Sequence, residues 1–249
     1  NLDMLIYTEL HSSPTPYCLA HNRIARIQAV LPGNLITTGI STIDYFITSN
    51  YLETPNSEDL YSEKLIKLNG MPFGITEVSI PRAKKSRVDY NLPINSCIFG
   101  LLHNPLKFHP DWDVYLEEIA KNCNGALFVL SGNHSYPIKQ LMKRWESDAP
   151  SFLSKCRFLN NLPYEDYLNV LANVDALLDP ISMGSATTAI EAFGVGTPII
   201  TKQGDQARTR IASAMYKIMG IRNAPIAYTA KDYINCCVNI QENRHENEK

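Results

Sequence analysis

Leu178-Asp179-Pro180-Ile181-Ser182-Met183-Gly184-Ser185-Ala186-Thr187-Thr188-Ala189-Ile190-Glu191-Ala192 reads as a short apolar strand, a loop of small residues and the start of a helix. That succession is half of a βα unit, and in open α/β sheets ligands bind beyond the carboxyl ends of the strands. The first amides of a helix have no intrahelical acceptor and the helix dipole adds positive charge, so such a loop suits an anion. The Thr187 and Thr188 hydroxyls add donors, and Glu191, one turn on, is placed to accept hydrogen bonds from a ribose. The spacing Thr188-x-x-Glu191 equally fits a capping box that merely closes the helix.

Outward from this stretch the same alternation continues. Strands are predicted at 97–101, 126–130, 156–159, 176–179 and 198–201, with helices at 111–122, 137–145, 164–172, 187–193, 206–219 and 231–240. Short continuous apolar runs alternating with helical patterns predict a Rossmann-like, doubly wound parallel sheet buried on both faces. The polar tail 241–249 is expected to fray. The first part is less regular: a strand at 4–8, a helix near 15–22 and strands at 27–31 and 44–48 are expected to be the last units of a second, truncated sheet. The charged stretch 81–90, with Arg82, Lys84, Lys85, Ser86 and Arg87, is taken as a linker, giving domains 1–84 and 85–249.

The 249 residues, 45% of them hydrophobic, suffice for a substantial core. A net charge of −2 gives no general field for nucleic acid or an acidic membrane, so any phosphate site must be local. The six cysteines show no metal-ligand spacing and sit mostly in apolar segments, which predicts free thiols in a reducing, cytoplasmic compartment. No apolar run reaches the roughly 20 residues of a membrane span. The chain begins on a strand, without a signal peptide or starting Met, and is expected to be part of a longer protein.

Three further segments follow predicted strands. In His103-Asn104-Pro105-Leu106-Lys107-Phe108-His109-Pro110 a lysine held between two prolines is placed to neutralise phosphate, although most lysines are solvated surface charges. In Leu162-Pro163-Tyr164-Glu165-Asp166-Tyr167 proline opens a helix, and Tyr167 either stacks on a base or packs in the core. Gly204-Asp205-Gln206-Ala207-Arg208-Thr209-Arg210 turns into a helix whose two arginines reach phosphate or the other domain, or form a solvated face. Nucleophile elbow, HExxH, Walker and GxGxxG patterns are all missing, and no carboxylate pair suits general acid and base roles.

Together these segments resemble the catalytic region of the O-GlcNAc transferase and SPINDLY glycosyltransferases, particularly their bacterial relatives. The matching stretches are Ile6-Tyr7-Thr8-Glu9-Leu10, Arg26-Ile27-Gln28-Ala29-Val30, Thr37-Thr38-Gly39-Ile40, Ile43-Asp44-Tyr45-Phe46-Ile47, Tyr61-Ser62-Glu63-Lys64-Leu65, Lys107-Phe108-His109-Pro110-Asp111, Leu178-Asp179-Pro180, Ala186-Thr187-Thr188, Glu191-Ala192 and Gly196-Thr197-Pro198. Bacterial adhesin N-glucosyltransferases share much of this pattern. The resemblance implies two Rossmann-like domains of the GT-B type, a sugar nucleotide held mainly by the C-terminal one, and neither metal nor cofactor. It implies that Lys107 contacts the diphosphate and stabilises the leaving nucleotide, that Asn104, Thr187 and Thr188 lie at the phosphates, and that Glu191 takes the ribose.

Some positions depart from the family. Gly33-Asn34-Leu35 stands where Gly-His-Pro is usual, Tyr164 replaces a basic residue, Tyr167 a base-stacking histidine and Ala186 a histidine before the paired threonines. The family's upstream acceptor-side histidine and helical repeats are not in this sequence. The expected activity is transfer of a sugar, N-acetylglucosamine from UDP, to Ser or Thr hydroxyls of a protein, with inversion. N-glucosyl or O-fucosyl transfer, a non-catalytic nucleotide-sugar-binding module and a sugar-nucleotide epimerase are the alternatives. Nucleic acid and membrane are not expected partners.

Overall fold

A computed structural model describes residues 2–74, 77–81, 84–132, 136–160 and 162–247. In chain order its elements are β1 (Leu2–Tyr7), α1 (Pro14–Ala20), β2 (Ala25–Val30), β3 (Tyr45–Ser49), β4 (Lys64–Leu68), β5 (Ile98–Leu101), α2 (Asp113–Asn122), β6 (Leu127–Ser131) and α3 (Tyr136–Asp148). There follow α4 (Pro150–Ser154), β7 (Cys156–Leu159), α5 (Tyr164–Asn173), β8 (Ala176–Leu178), α6 (Thr187–Gly194), β9 (Ile199–Lys202), α7 (Ile211–Ile218), β10 (Ile226–Ala227) and α8 (Ala230–Asn247). The chain forms two compact units, Asn1–Ile75 with Gly204–Arg222, and Thr76–Gln203 with Asn223–Lys249.

The second unit is built on a six-stranded parallel sheet in the order β10-β9-β8-β5-β6-β7. From β5 the chain winds outward through β6 and β7, then returns to the other side of β5 for β8, β9 and β10. The strand order therefore reverses between β5 and β8, the switch point at which open α/β sheets bind ligands. β5 and β8 are buried at every position, as their apolar sequences dictate for a sheet covered on both faces. Leu116, Ile119 and Ala120 turn one face of α2 into the core, where Trp112, Phe128, Trp145 and Phe152 pack with it. Cys97, Cys123, Cys156 and Cys237 are buried free thiols.

The first unit holds a four-stranded parallel sheet in sequence order, β1-β2-β3-β4, around a core of Tyr7, Leu10, Ala20, Val30, Ile40, Ile43 and Phe46. Two residues of the resembling stretches brace it. Asp44 pairs with Arg23 at 2.6 Å and accepts the Gln28 amide at 2.8 Å, while the buried Gln28 side chain donates to Thr42 O at 3.0 Å. Both units are α/β with parallel sheets.

Several elements differ in extent from those read in the sequence. The helix predicted at 206–219 is a single turn at Ala207–Thr209 followed by α7. β4, with its alternating charged and apolar residues, and the five-residue α4 were not predicted. The tail expected to fray beyond 240 continues α8 to Asn247, because its polar residues have partners. Gln241 Nε2 donates to Asn124 O at 2.6 Å, and Arg244 pairs with Asp175 and donates to Ile94 O at 2.6 Å. In the predicted linker, Arg82 lies outside the described residues. Residues 84–90 are docked on α5: Lys85 N donates to Asn169 Oδ1 at 3.1 Å and the Tyr90 hydroxyl to Asp166 at 2.8 Å.

Candidate functional site

Two loops leave the carboxyl ends of the neighbouring strands β5 and β8. The first carries Asn104 and Lys107. Pro105 opens a single helical turn over Pro105–Lys107, and the Asn104 side chain caps it by accepting from Leu106 N at 3.0 Å. The turn aims Lys107 across to the second loop, where its ammonium donates to Gly184 O at 3.0 Å. An ammonium has three donors, so two remain for a ligand. Burial lowers the Lys107 pKa from its ordinary value, and the charge of Asp179 works in the opposite direction.

The second loop ends at α6, whose N-cap is Ala186. No side chain caps this helix, so the capping box read in Thr188 and Glu191 does not form. The reason is register: with Ala186 as N-cap, Thr188 is already the second helical residue. The amides of Thr187, Thr188 and Ala189 therefore face outward without intrahelical acceptors. Thr187 is exposed and Thr188 half-buried. Glu191 instead accepts from the Tyr167 hydroxyl at 3.0 Å, because α5 packs beside α6. The Tyr164 and Tyr167 rings lie 6.2 Å apart at 19°, two aromatic faces on the first turn of α5. Burial, and then the neighbouring Glu191 charge, raise the Tyr167 pKa.

Beneath these groups lies a buried polar cluster that the sequence did not single out. Asp179, 2% exposed, accepts from Ser185 N at 2.8 Å, Ser185 Oγ at 2.7 Å and Thr201 Oγ1 at 2.7 Å. His103 Nε2 donates to Leu178 O at 2.8 Å, which leaves Nδ1 as a lone pair 3.2 Å from Ser185 Oγ. Desolvation pushes His103 down to about 3, so its ring is neutral at pH 7. Burial pushes the Asp179 carboxyl up, against the hydrogen bonds from Ser185 and Thr201 and the charge of Lys107. The one visible signal for this cluster was the stretch Leu178-Asp179-Pro180.

The structure thus brings together Lys107 with the Gly184–Thr188 loop, and Tyr167 with Glu191. His109 is exposed and accepts from Asp111 N at 3.3 Å within its own turn. The arginine-bearing segment belongs to the first unit. There Arg210 donates to Gly204 O at 3.0 Å, and Arg208 lines a cavity of about 170 Å³ with Thr37, Tyr61 and Gln206. A larger groove of about 740 Å³ is lined by Pro105 and Leu106, next to Lys107, and by Tyr136, Leu141 and Arg144.

No family model matches the chain. A variant of the Thermobaculum terrenum O-GlcNAc transferase superposes with a TM-score of 0.83 at 21% identity, covering 98% of this chain and 46% of that one. The chain has the fold of an O-GlcNAc transferase catalytic region. The UDP-glucose:protein N-beta-glucosyltransferase of Actinobacillus pleuropneumoniae serotype 5b (strain L20) is 25% identical over 239 residues, 91% of this chain and 36% of that protein. The probable UDP-N-acetylglucosamine–peptide N-acetylglucosaminyltransferase SEC of Arabidopsis thaliana is 25% identical over 232 residues, 88% of this chain and 23% of that protein. The chain therefore spans about a third of the first relative and a quarter of the second. Among the described residues no helix is long and apolar enough to cross a membrane.

Proposed function

We propose that this chain is the nucleotide-sugar-binding part of a protein glycosyltransferase that moves N-acetylglucosamine from UDP to Ser or Thr hydroxyls. The observation that carries this reading is the Lys107 ammonium, held on Gly184 O at the switch point beside the unsatisfied first amides of α6. A diphosphate in this place meets one fixed cation and a helix N-terminus, with Asn104, Thr187 and Thr188 as further donors and Ala186 opening the helix at their side. Tyr167 faces the base and Glu191 the ribose.

In the transfer step the acceptor hydroxyl oxygen attacks the anomeric carbon and inverts it, and the hydroxyl proton is released to water. The bond from that carbon to the diphosphate oxygen breaks, and its electrons pass to the diphosphate. Lys107 stabilises the charge that grows there, the kind of electrostatic role that supplies the largest share of many rate enhancements. On this reading neither metal nor cofactor takes part, and undiminished transfer in excess EDTA is expected.

Calorimetry and thermal melts with UDP and GDP test the donor site, with Lys107→Ala and Thr188→Ala as controls. UDP at 100 times its dissociation constant should add about 2.7 kcal/mol of stability, and both substitutions should weaken binding. A folded chain that binds neither nucleotide, or binds as well without Lys107, overturns the assignment. The N-glucosyltransferase similarity favours one second reading, glucose transfer to Asn. UDP-glucose against UDP-N-acetylglucosamine, on peptides bearing Asn or Ser/Thr, separates the two in the full-length protein.

A further inference from the structure

Asp179 is a buried carboxylate with no cation in contact among the described residues: its donors there are Ser185 N, Ser185 Oγ and Thr201 Oγ1. An asparagine would meet the same three groups, since a hydroxyl accepts as well as donates, and would avoid burying a charge. A carboxylate differs from that amide by the negative charge it brings to the site. Lys107 is half-buried and rests on the carbonyl of Gly184, next to the Ser185 that Asp179 holds. The groups around the pair are accounted for. His103 faces Lys107 from the β5 loop and is neutral, and Tyr233 of α8 donates to the Asp179 carbonyl at 3.0 Å rather than to its carboxylate.

The connection is also mechanical. Asp179 holds both the amide and the hydroxyl of Ser185, the residue directly after Gly184, whose carbonyl receives Lys107. We propose that Asp179 is a positioning residue for the diphosphate site, fixing through Ser185 the carbonyl on which Lys107 rests and setting a negative charge behind the Lys107 ammonium. It touches neither donor nor acceptor. Its effect on a nucleotide diphosphate runs through Lys107, so this inference rests on the proposed donor site while making a claim about the free protein as well.

Two readouts on Asp179→Asn separate those claims. The first is the titration of Lys107 by NMR of ¹³C-methylated lysines, assigned with Lys107→Arg and needing no nucleotide. The second is UDP affinity by calorimetry across pH 6 to 10. In Asp179→Asn, Lys107 should lose its proton at a lower pH than in the unaltered chain, and the alkaline loss of UDP binding should move down with it. A merely structural Asp179 would change affinity at all pH values and leave both midpoints in place, which overturns the proposal. If Lys107 titrates lower but UDP does not bind even the unaltered chain, the pairing stands and the donor reading falls. If Asp179→Asn does not fold, Ser185→Ala tests the mechanical link: it keeps the charge and should weaken UDP about tenfold without moving the Lys107 midpoint. Unchanged affinity in Ser185→Ala overturns that link.

Discussion

The Tyr167 hydroxyl donates to Glu191 Oε2 at 3.0 Å, so two side chains 24 residues apart, expected to face the base and the ribose, are coupled before any ligand arrives. The coupling orients the carboxylate, as a neutral donor to a charged acceptor contributes more than a neutral pair. Tyr167→Phe keeps the ring and removes the bond. UDP affinity should fall about three- to tenfold, the equivalent of one hydrogen bond, when measured by calorimetry. The loss should be smaller for 2′-deoxy-UDP, which presents one ribose hydroxyl fewer to Glu191.

His103 makes stability depend on pH. Its folded value is depressed to about 3 from an ordinary 6.5, so above pH 6.5 the ring is neutral in both states and contributes no slope. As pH falls from 6.5 towards 3, the unfolded chain takes up a proton that the native chain refuses, and stability drops by up to about 1.4 kcal/mol per pH unit. Urea melts at pH 7, 6 and 5 should show this fall, and His103→Gln should flatten it.

Asp113 holds the Lys107 turn from behind. It is 2% exposed, accepts from Arg144 at 2.5 and 2.9 Å and from Trp145 Nε1 at 2.9 Å, while Arg144 also donates to Phe108 O at 2.9 Å. Asp113→Ala strips a half-buried guanidinium of its carboxylate and leaves a buried indole N–H unpaired. Unfolding in guanidinium chloride should register a loss of about 3–5 kcal/mol.

In the first unit, Glu63 gathers the loop between β2 and β3: it accepts from Thr37 Oγ1 at 2.7 Å and Thr38 N at 2.8 Å, and from the Thr38 hydroxyl. Burial alone would raise its pKa, but the hydrogen bonds from Thr38 and Thr37 outweigh burial and lower it. The resulting stability is fully present above the ordinary value of 4.5 and is lost as pH falls through the lower native value. Glu63→Gln should be less stable at pH 7, and the difference in melting temperature should shrink below pH 4.

The second unit was legible because parallel strands buried on both faces must be apolar throughout, and runs such as Ile98-Phe99-Gly100-Leu101 advertise themselves. Lys107 stood out by its flanking prolines, and Thr187 and Thr188 by following a strand. Asp179 did not: a single acid at a strand end looks like a turn residue. What distinguishes it are Ser185, six residues on, and Thr201, 22 residues on. The return of Gly204–Arg222 to the first unit was legible only as one of three options for its arginines, because local patterns report which segments are helical and not which core they join.

The sequence by itself determined the alternation of strand and helix, the placement of small and hydroxyl residues at the head of α6, and the resemblance to the O-GlcNAc transferase family, since all three are matters of local order. Tertiary structure alone decided the strand order that makes β5 and β8 neighbours. From that adjacency follow the Lys107–Gly184 bond and the burial that neutralises His103. Desolvation and hydrogen-bond geometry depend on what lies across the sheet, and no linear pattern contains that information.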